Sequence, residues 1–314
     1  MKKKGSIWSV VSVVCLLLGI FSLTRAFSGL THHTASGKSL ALHIGSAVLW
    51  FVISFLISRR QKKEGVGEIP PSELASSIQK KLAIPYKLLP DKVPPDALMR
   101  FFRRTAKEIR GQGFTPVLVP VDEALDRWLD TAEKPSDSGG EADLSAPPEN
   151  GKAILERRWQ EAFASEAETP EVPQTVLGEI TGGKEQVHFL SCQTEDGASR
   201  ETLMLRLPTG EAWRAVSWIP VGGSRGMPDN DEVLAVCKYW YDKYKAAPAA
   251  IGYGTLEFIL PKVIDQEEAM AVAKEHFAFC PDRVRRDTES GTIGEVADCL
   301  WQSTLWHFRW YEED

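Results

Sequence analysis

Residues 186–219 read QVHFLSCQTEDGASRETLMLRLPTGEAWRAVSWI, and the fold class turns on how this stretch is parsed. Three segments stand out for their apolar content: 186–193, 201–207 and 212–219. The first two are separated by Thr194-Glu195-Asp196-Gly197-Ala198-Ser199-Arg200, the last two by Pro208-Thr209-Gly210-Glu211. Connections this short favour strands that double back on one another, so an antiparallel meander is expected.

Helices flank it on the carboxy-terminal side. After Gly222 and Gly223 a helix is expected near Asp229 and Asn230, with Leu234, Cys237, Tyr241 and Tyr244 at helical spacing. Residues 250–260 read as a strand. Asp265 and Glu268 form a capping-box-like start for a helix that reaches Phe279. A short helix over 292–300 and an aromatic-rich closing strand over 304–311 complete this half.

Upstream, a short helix is expected over 72–82. Pro94 and Pro95 open a better one over 96–110, since proline suits a first helical turn. Its Arg100, Arg103, Arg104, Lys107 and Arg110 share one side, and Leu98, Phe102, Thr105 and Ile109 another. Gly111 and Gly113 stop it, and 115–121 reads as a strand. Asp122 then caps a helix holding Leu125, Trp128 and Leu129. Residues 131–150 are rich in Glu, Asp, Ser, Gly and Pro and read as a flexible insertion; 153–167 is helical by composition. Helices and strands mix without strict βαβ alternation, which points to an α+β domain over 114–314 with a mixed, largely antiparallel sheet and packed helices. Residues 61–113 form a basic connector ahead of it.

Two runs, 7–24 and 40–57, hold no Asp, Glu, Lys or Arg and are 18 residues each, close to the length that spans a bilayer. Lys2, Lys3 and Lys4 precede the first; Arg59, Arg60, Lys62 and Lys63 follow the second. Such flanks favour the cytoplasmic side. The expectation is a two-helix transmembrane hairpin over 1–60, multi-pass in the inner (cytoplasmic) membrane, with both termini cytoplasmic and the lipid bilayer as a partner. The rival is a cleaved signal peptide ahead of a single anchor, disfavoured by the long apolar core and by Arg25.

The net charge of −6 hides a division. Residues 1–110 carry a net of +12 and the remainder a net of −18. The acidic part should repel nucleic acid, so no nucleic-acid partner is expected. The five cysteines, Cys15, Cys192, Cys237, Cys280 and Cys299, show no CxxC and no disulfide rhythm, which fits reduced thiols.

Candidate chemistry is sparse. Gly222, Gly223, Ser224 and Arg225 lie between a strand and a helix, where free amides and an arginine can cradle an anion, although no Gly-Lys-Ser/Thr completes a Walker loop. The alternative is a plain connection. Gly252-Tyr253-Gly254 lacks the third glycine and the following helix of a dinucleotide fingerprint. His276 and Cys280 share a helix face, with Asp282 just beyond; Pro281 puts Cys280 at a helix carboxy terminus, where the dipole disfavours thiolate. The alternative there is a structural helix end. No HExxH occurs, and neither a metal nor a cofactor is expected. Trp213 and Trp218, with Trp310, are candidate contact residues, against a core role for most of the tryptophans.

One ordered series of motifs goes further. Val236-Cys237-Lys238-Tyr239-Trp240, Ile251-Gly252-Tyr253-Gly254-Thr255-Leu256-Glu257, Glu267-Glu268-Ala269, Phe277-Ala278-Phe279-Cys280-Pro281-Asp282, Gly291-Thr292-Ile293 and Leu305-Trp306-His307-Phe308-Arg309-Trp310 resemble the bacterial family known as domain of unknown function 4253. The resemblance covers roughly 205–312. Members of that family carry a Gly-Gly-Trp-Asn loop where this chain has Gly222-Gly223-Ser224-Arg225-Gly226-Met227-Pro228, so a site built on that loop would be altered here. The resemblance implies a domain and no reaction. Three functions stay open: an interaction or ligand-binding domain with a protein partner, including a partner-neutralising role; an enzyme using the 222–225 loop with His276, Cys280 and Asp282; and an architectural scaffold.

Overall fold

The structure, a computed structural model, describes residues 70–131, 147, 149–163, 174–222 and 226–311, together with the single positions 20, 24, 46 and 48. The chain divides into two compact units, Met1–Pro70 and Pro71–Asp314. In the second, a six-stranded sheet runs through the centre. Its strands are β1 (Tyr86–Leu89), β2 (Thr115–Pro120), β3 (Thr202–Leu207), β4 (Ala247–Gly252), β5 (Thr255–Ile259) and β6 (Leu305–Arg309). Their order across the sheet is β1-β3-β2-β4-β5-β6. Every neighbouring pair is antiparallel except β2 and β4, which are parallel.

Side chains alternate along a strand, so each strand supplies both faces of the sheet. On one face Val117, Val119, Leu203, Leu205, Leu207, Ile251, Leu256, Phe258, Trp306 and Phe308 join the larger core. The helices α1 (Glu73–Leu82), α3 (Glu123–Thr131), α4 (Gly151–Ala162), α7 (Asn230–Tyr244), α8 (Gln266–Phe279) and α10 (Ile293–Leu300) contribute to that core. On the other face Leu118, Met204, Ala249, Ala250 and Leu305 meet Leu98, Met99 and Phe102 of α2 (Pro95–Ile109). Arg100, Arg103, Arg104, Lys107 and Arg110 of that helix stay exposed.

Trp240 of α7 centres the larger core. Its ring lies 5.0 Å from Phe279, 5.4 Å from both Trp306 and Phe308, and 5.6 Å from Phe258. Its indole N–H donates to Glu275 at 2.9 Å, so the one polar atom of a fully buried ring is satisfied. Helix α7 begins in a complete capping box: Asp229 accepts from the Glu232 amide at 2.8 Å, and Glu232 accepts from the Asp229 amide at 3.3 Å.

Four expectations are corrected. The 186–219 meander does not form. Of its three segments only the middle one is a strand, β3, and it pairs with β1 and β2. Residues 212–219 form a 3₁₀ turn, Ala212–Arg214, leading into α6 (Ala215–Trp218), because the buried Trp213, Val216 and Ile219 recur every third residue. Residues 186–193 are irregular, with Phe189 and Cys192 buried while Val187 and Leu190 are 48% and 47% exposed. That spacing is not a strand's. The 250–260 strand is in fact two, β4 and β5, folded back at Tyr253 and Gly254, the glycine taking a φ of +61° that disfavours any side chain.

The last correction concerns the membrane. Among the described residues no helix is long and apolar enough to cross a bilayer. The longest, α2 and α7, have 15 residues and carry charge, short of the roughly 20 apolar residues required. Apart from Ile20, Thr24, Ser46 and Val48, the runs 7–24 and 40–57 lie outside the described residues, as does nearly all of 131–150. The expected transmembrane hairpin and the multi-pass inner-membrane placement are therefore withdrawn.

Because Trp240 is wedged among aromatic rings that cannot all collapse inward, Trp240→Ala should cost about 3–5 kcal/mol. Urea unfolding would register this as a lower midpoint at unchanged slope.

Candidate functional site

Two buried mid-strand residues on the α2 side of the sheet break its apolar pattern. Glu257 of β5 and His307 of β6 lie directly opposite one another in the ladder. Glu257 is fully buried and His307 is 5% exposed. Moving a carboxylate from water into a protein interior costs several kcal/mol unless hydrogen bonds replace the lost solvent. Here they do. The Leu190 and Ser191 amides donate to Glu257 at 2.9 and 3.0 Å, Gln186 Nε2 donates at 3.2 Å, and the Ser191 hydroxyl donates as well. Hydrogen bonds to a charged group contribute about 1.5–3 kcal/mol each, enough together to offset the burial.

His307 completes the shell, with Nδ1 3.1 Å from Glu257 Oε1. The approach is off the line of a good hydrogen bond, so the two groups face one another at close range without a formed bond. An imidazole whose Nδ1 faces a carboxylate offers Nε2 on its opposite side. His307 lines a cleft of about 310 Å³ together with Gly183, Lys184, Gln186, Arg283, Thr288 and Cys299. A neighbouring cleft of about 360 Å³ shares His307, Leu190 and Asp287 with it and extends to Arg200, Arg309 and Tyr311.

The cleft wall is the irregular 183–193 segment, which is tied down at both ends. Gly183 presses on α10 so closely that a Cβ there would meet the Cys299 nitrogen at 2.3 Å. Its amide donates to Asp298 at 2.8 Å, and the Gln186 amide donates to Ser303 Oγ at 2.7 Å. At the other end Phe189 packs edge-on against Phe102 of α2 at 5.2 Å. His188 meets Asp96 at 2.8 Å, a hydrogen bond that holds the Asp96 carboxyl below its usual range.

Part of this framework is similar to a known family. Residues 203–311 match the family described as Domain of unknown function (DUF4253). The match runs from β3 to just past β6 and so includes Glu257, Arg283 and His307. Gln186, Leu190 and Ser191, which satisfy Glu257, come from upstream of the DUF4253 segment. No curated protein matches the chain. No solved structure matches it either.

The residues singled out from sequence are scattered. Of the candidate site residues described, none lines either cleft, whereas Gly252 and Tyr253, set aside as a dinucleotide motif, line the second. Gly222 is buried with φ +58° against the Trp128 ring; Gly223, Ser224 and Arg225 lie outside the described residues. The helix that follows them is already capped by Asp229, whose charge opposes a bound anion. Trp213 is 3% exposed beneath the Arg214 guanidinium, 4.1 Å from its ring centre, and Trp218 is half-buried. Trp310 is buried too, 6% exposed.

His276 and Cys280 are both fully buried. The His276 ring sits 4.6 Å from Trp306 and 4.7 Å from Phe308 with neither nitrogen partnered, and burial pushes its pKa well down. Burial likewise pushes the Cys280 thiol up to about 12, and Sγ donates to the Arg309 carbonyl at 3.3 Å. Asp282, which opens α9 (Asp282–Arg285), accepts from the Tyr311 amide at 3.1 Å. A neutral imidazole and an inert thiol inside an aromatic core suit structure better than catalysis. Among the described residues no three His, Cys, Asp or Glu gather as a metal site would require.

Sequence reasoning passed over Glu257, His307 and Arg283. The available signal was a single polar residue between Leu256 and Phe258, and another between Trp306 and Phe308. Only the strand register turns the two into a pair.

Two outcomes follow. Glu257→Gln removes the charge that draws the Leu190 and Ser191 amides, so their hydrogen exchange should speed at least tenfold while the β2 and β3 amides hold. His276, kept neutral when folded and free to protonate when unfolded, stabilises fully above the unfolded value of about 6.5; that share is lost as pH falls toward its depressed folded value. Urea stability should therefore drop between pH 7 and 5 by up to about 1.4 kcal/mol per unit from this group. The slope should be shallower in His276→Phe.

Proposed function

We propose that the Pro71–Asp314 unit is a ligand-binding domain whose cleft holds a small polar molecule against His307. The observation that carries this is the opposed Glu257–His307 pair: a fully enclosed carboxylate 3.1 Å from an imidazole that borders open volume. Core histidines are ordinarily enclosed, as His276 is, and His307 is not merely filling space. The cleft volume lies at the small end of the range for small-molecule sites, and its lining mixes two aliphatic side chains, Leu190 and Val296, with convergent polar groups.

A second reading, proton transfer, is favoured by the same pair. A carboxylate set beside an imidazole is an arrangement that general-base chemistry uses. Neither reading uses His276 or Cys280. A partner-binding face built on exposed tryptophans gains nothing from Trp213 and Trp310, which are buried.

The test is a screen of the full chain, with histidine isotopically labelled, against small acids, amines, amides and sugars. At least one class should shift the His307 ring resonances and leave those of His276 unmoved. His307→Gln should weaken that binding at least tenfold without lowering the melting temperature. A screen in which nothing moves His307, or hits that bind His307→Gln as well as the wild type, would refute the proposal.

A further inference from the structure

The cleft contains a cation with no counter-charge. Arg283, in α9, is 5% exposed and borders the cleft beside His307. One Nη donates to the His307 carbonyl, which closes off part of the free edge of β6, and the guanidinium lies 5.6 Å from the Phe308 ring centre. Its Nε has no partner. Among the described residues no carboxylate pairs with it.

Of the four carboxylates that line the cleft, Glu185 is exposed and the other three are already engaged. Asp287 accepts from the Tyr311 hydroxyl at 2.7 Å, and Glu289 pairs with Lys184. Glu295 accepts from the Glu289 and Ser290 amides at 2.9 and 2.7 Å, bonds that help keep its carboxyl below the usual range. A buried guanidinium left without an anion is among the costlier features a fold can hold. One that borders an open cleft has a remedy: an anion brought by a ligand, which the planar fork binds through two parallel N–H donors.

Resting on the ligand-binding reading above, we infer that the ligand carries a single carboxylate or phosphate group that docks on Arg283, next to His307. The rim sets a second requirement. Glu185 and Asp287 line the cleft and are exposed, while Glu289 is paired with Lys184, so the rest of the molecule must present hydrogen-bond donors instead of further negative charge. Polyanions are thereby excluded.

Titrating the full chain with sodium acetate, inorganic phosphate or methylammonium chloride, at constant ionic strength, tests this by following the Arg283 Nε–H and His307 ring resonances. Acetate, phosphate or both should shift the two sets together, and methylammonium should shift neither. A response to acetate alone identifies carboxylates, and to phosphate alone phosphate esters. Arg283→Lys keeps the charge and loses the fork, and should weaken the effective anion about tenfold. Arg283→Gln should abolish the response, with native folding checked by the unshifted His276 ring. If neutral or cationic compounds move His307 while neither anion does, this inference fails and the ligand-binding reading survives. Anion binding undiminished in a folded Arg283→Lys would overturn it as well.

Discussion

One buried negative charge organises the α2 face of this domain. Glu257 cannot be left alone between β4 and β6, and the donors that satisfy it lie some seventy residues earlier in the chain. To deliver them, 183–193 must give up strand geometry and turn its backbone amides toward the sheet face. That sacrifice creates the cleft. The same carboxylate faces His307, and His307 offers its carbonyl to Arg283, so three chemically active side chains share one chain of contacts. Removing the charge would loosen all of it, whereas deleting a core leucine would leave it in place.

The two faces of the sheet do different work. The larger core is aromatic and dry, and it encloses Trp240, His276 and Cys280 without access to solvent. Functional groups placed there lose their chemistry: the thiol is too weak an acid and the imidazole too weak a base. On the other face a single helix, α2, and an irregular segment share the covering. The covering is incomplete, and polar side chains in the gap keep contact with water.

Much of the helical framework was legible in the residues. Helix α2 lies within a residue of the stretch read from Pro94, Pro95 and the spacing of Leu98 and Phe102, and α7 begins at Asn230, beside the Asp229 from which its start was read. Local signals act over a few residues, and helices depend on little else. The sheet was less readable, because pairing is set at a distance. Strand β1 was not foreseen, since Tyr86–Leu89 is short and gains its identity only from Leu203 and Leu205 across the ladder. Loop length misled over 186–219: Trp213, Val216 and Ile219 recur with period three, and short connections alone could not reveal it. The site was hidden for the same reason. Glu257 and His307 are fifty residues apart, and nothing local says that they face one another.

The strand order carries a consequence for how the chain reaches this state. Strands β4, β5 and β6 follow one another around the sheet, so the carboxy-terminal sector can zip up from neighbours in sequence. The opposite sector cannot. β1 and β2 are separated by a slot that only β3 fills, and β3 is synthesised about eighty residues after β2. Until it arrives, both strands expose unsatisfied edges, and the parallel seam to β4 still waits on sequence further downstream. Such high contact order makes closure slow and late. On a ribosome, the early portion would emerge as a half-built ledge, its two strand edges open until β3 leaves the tunnel.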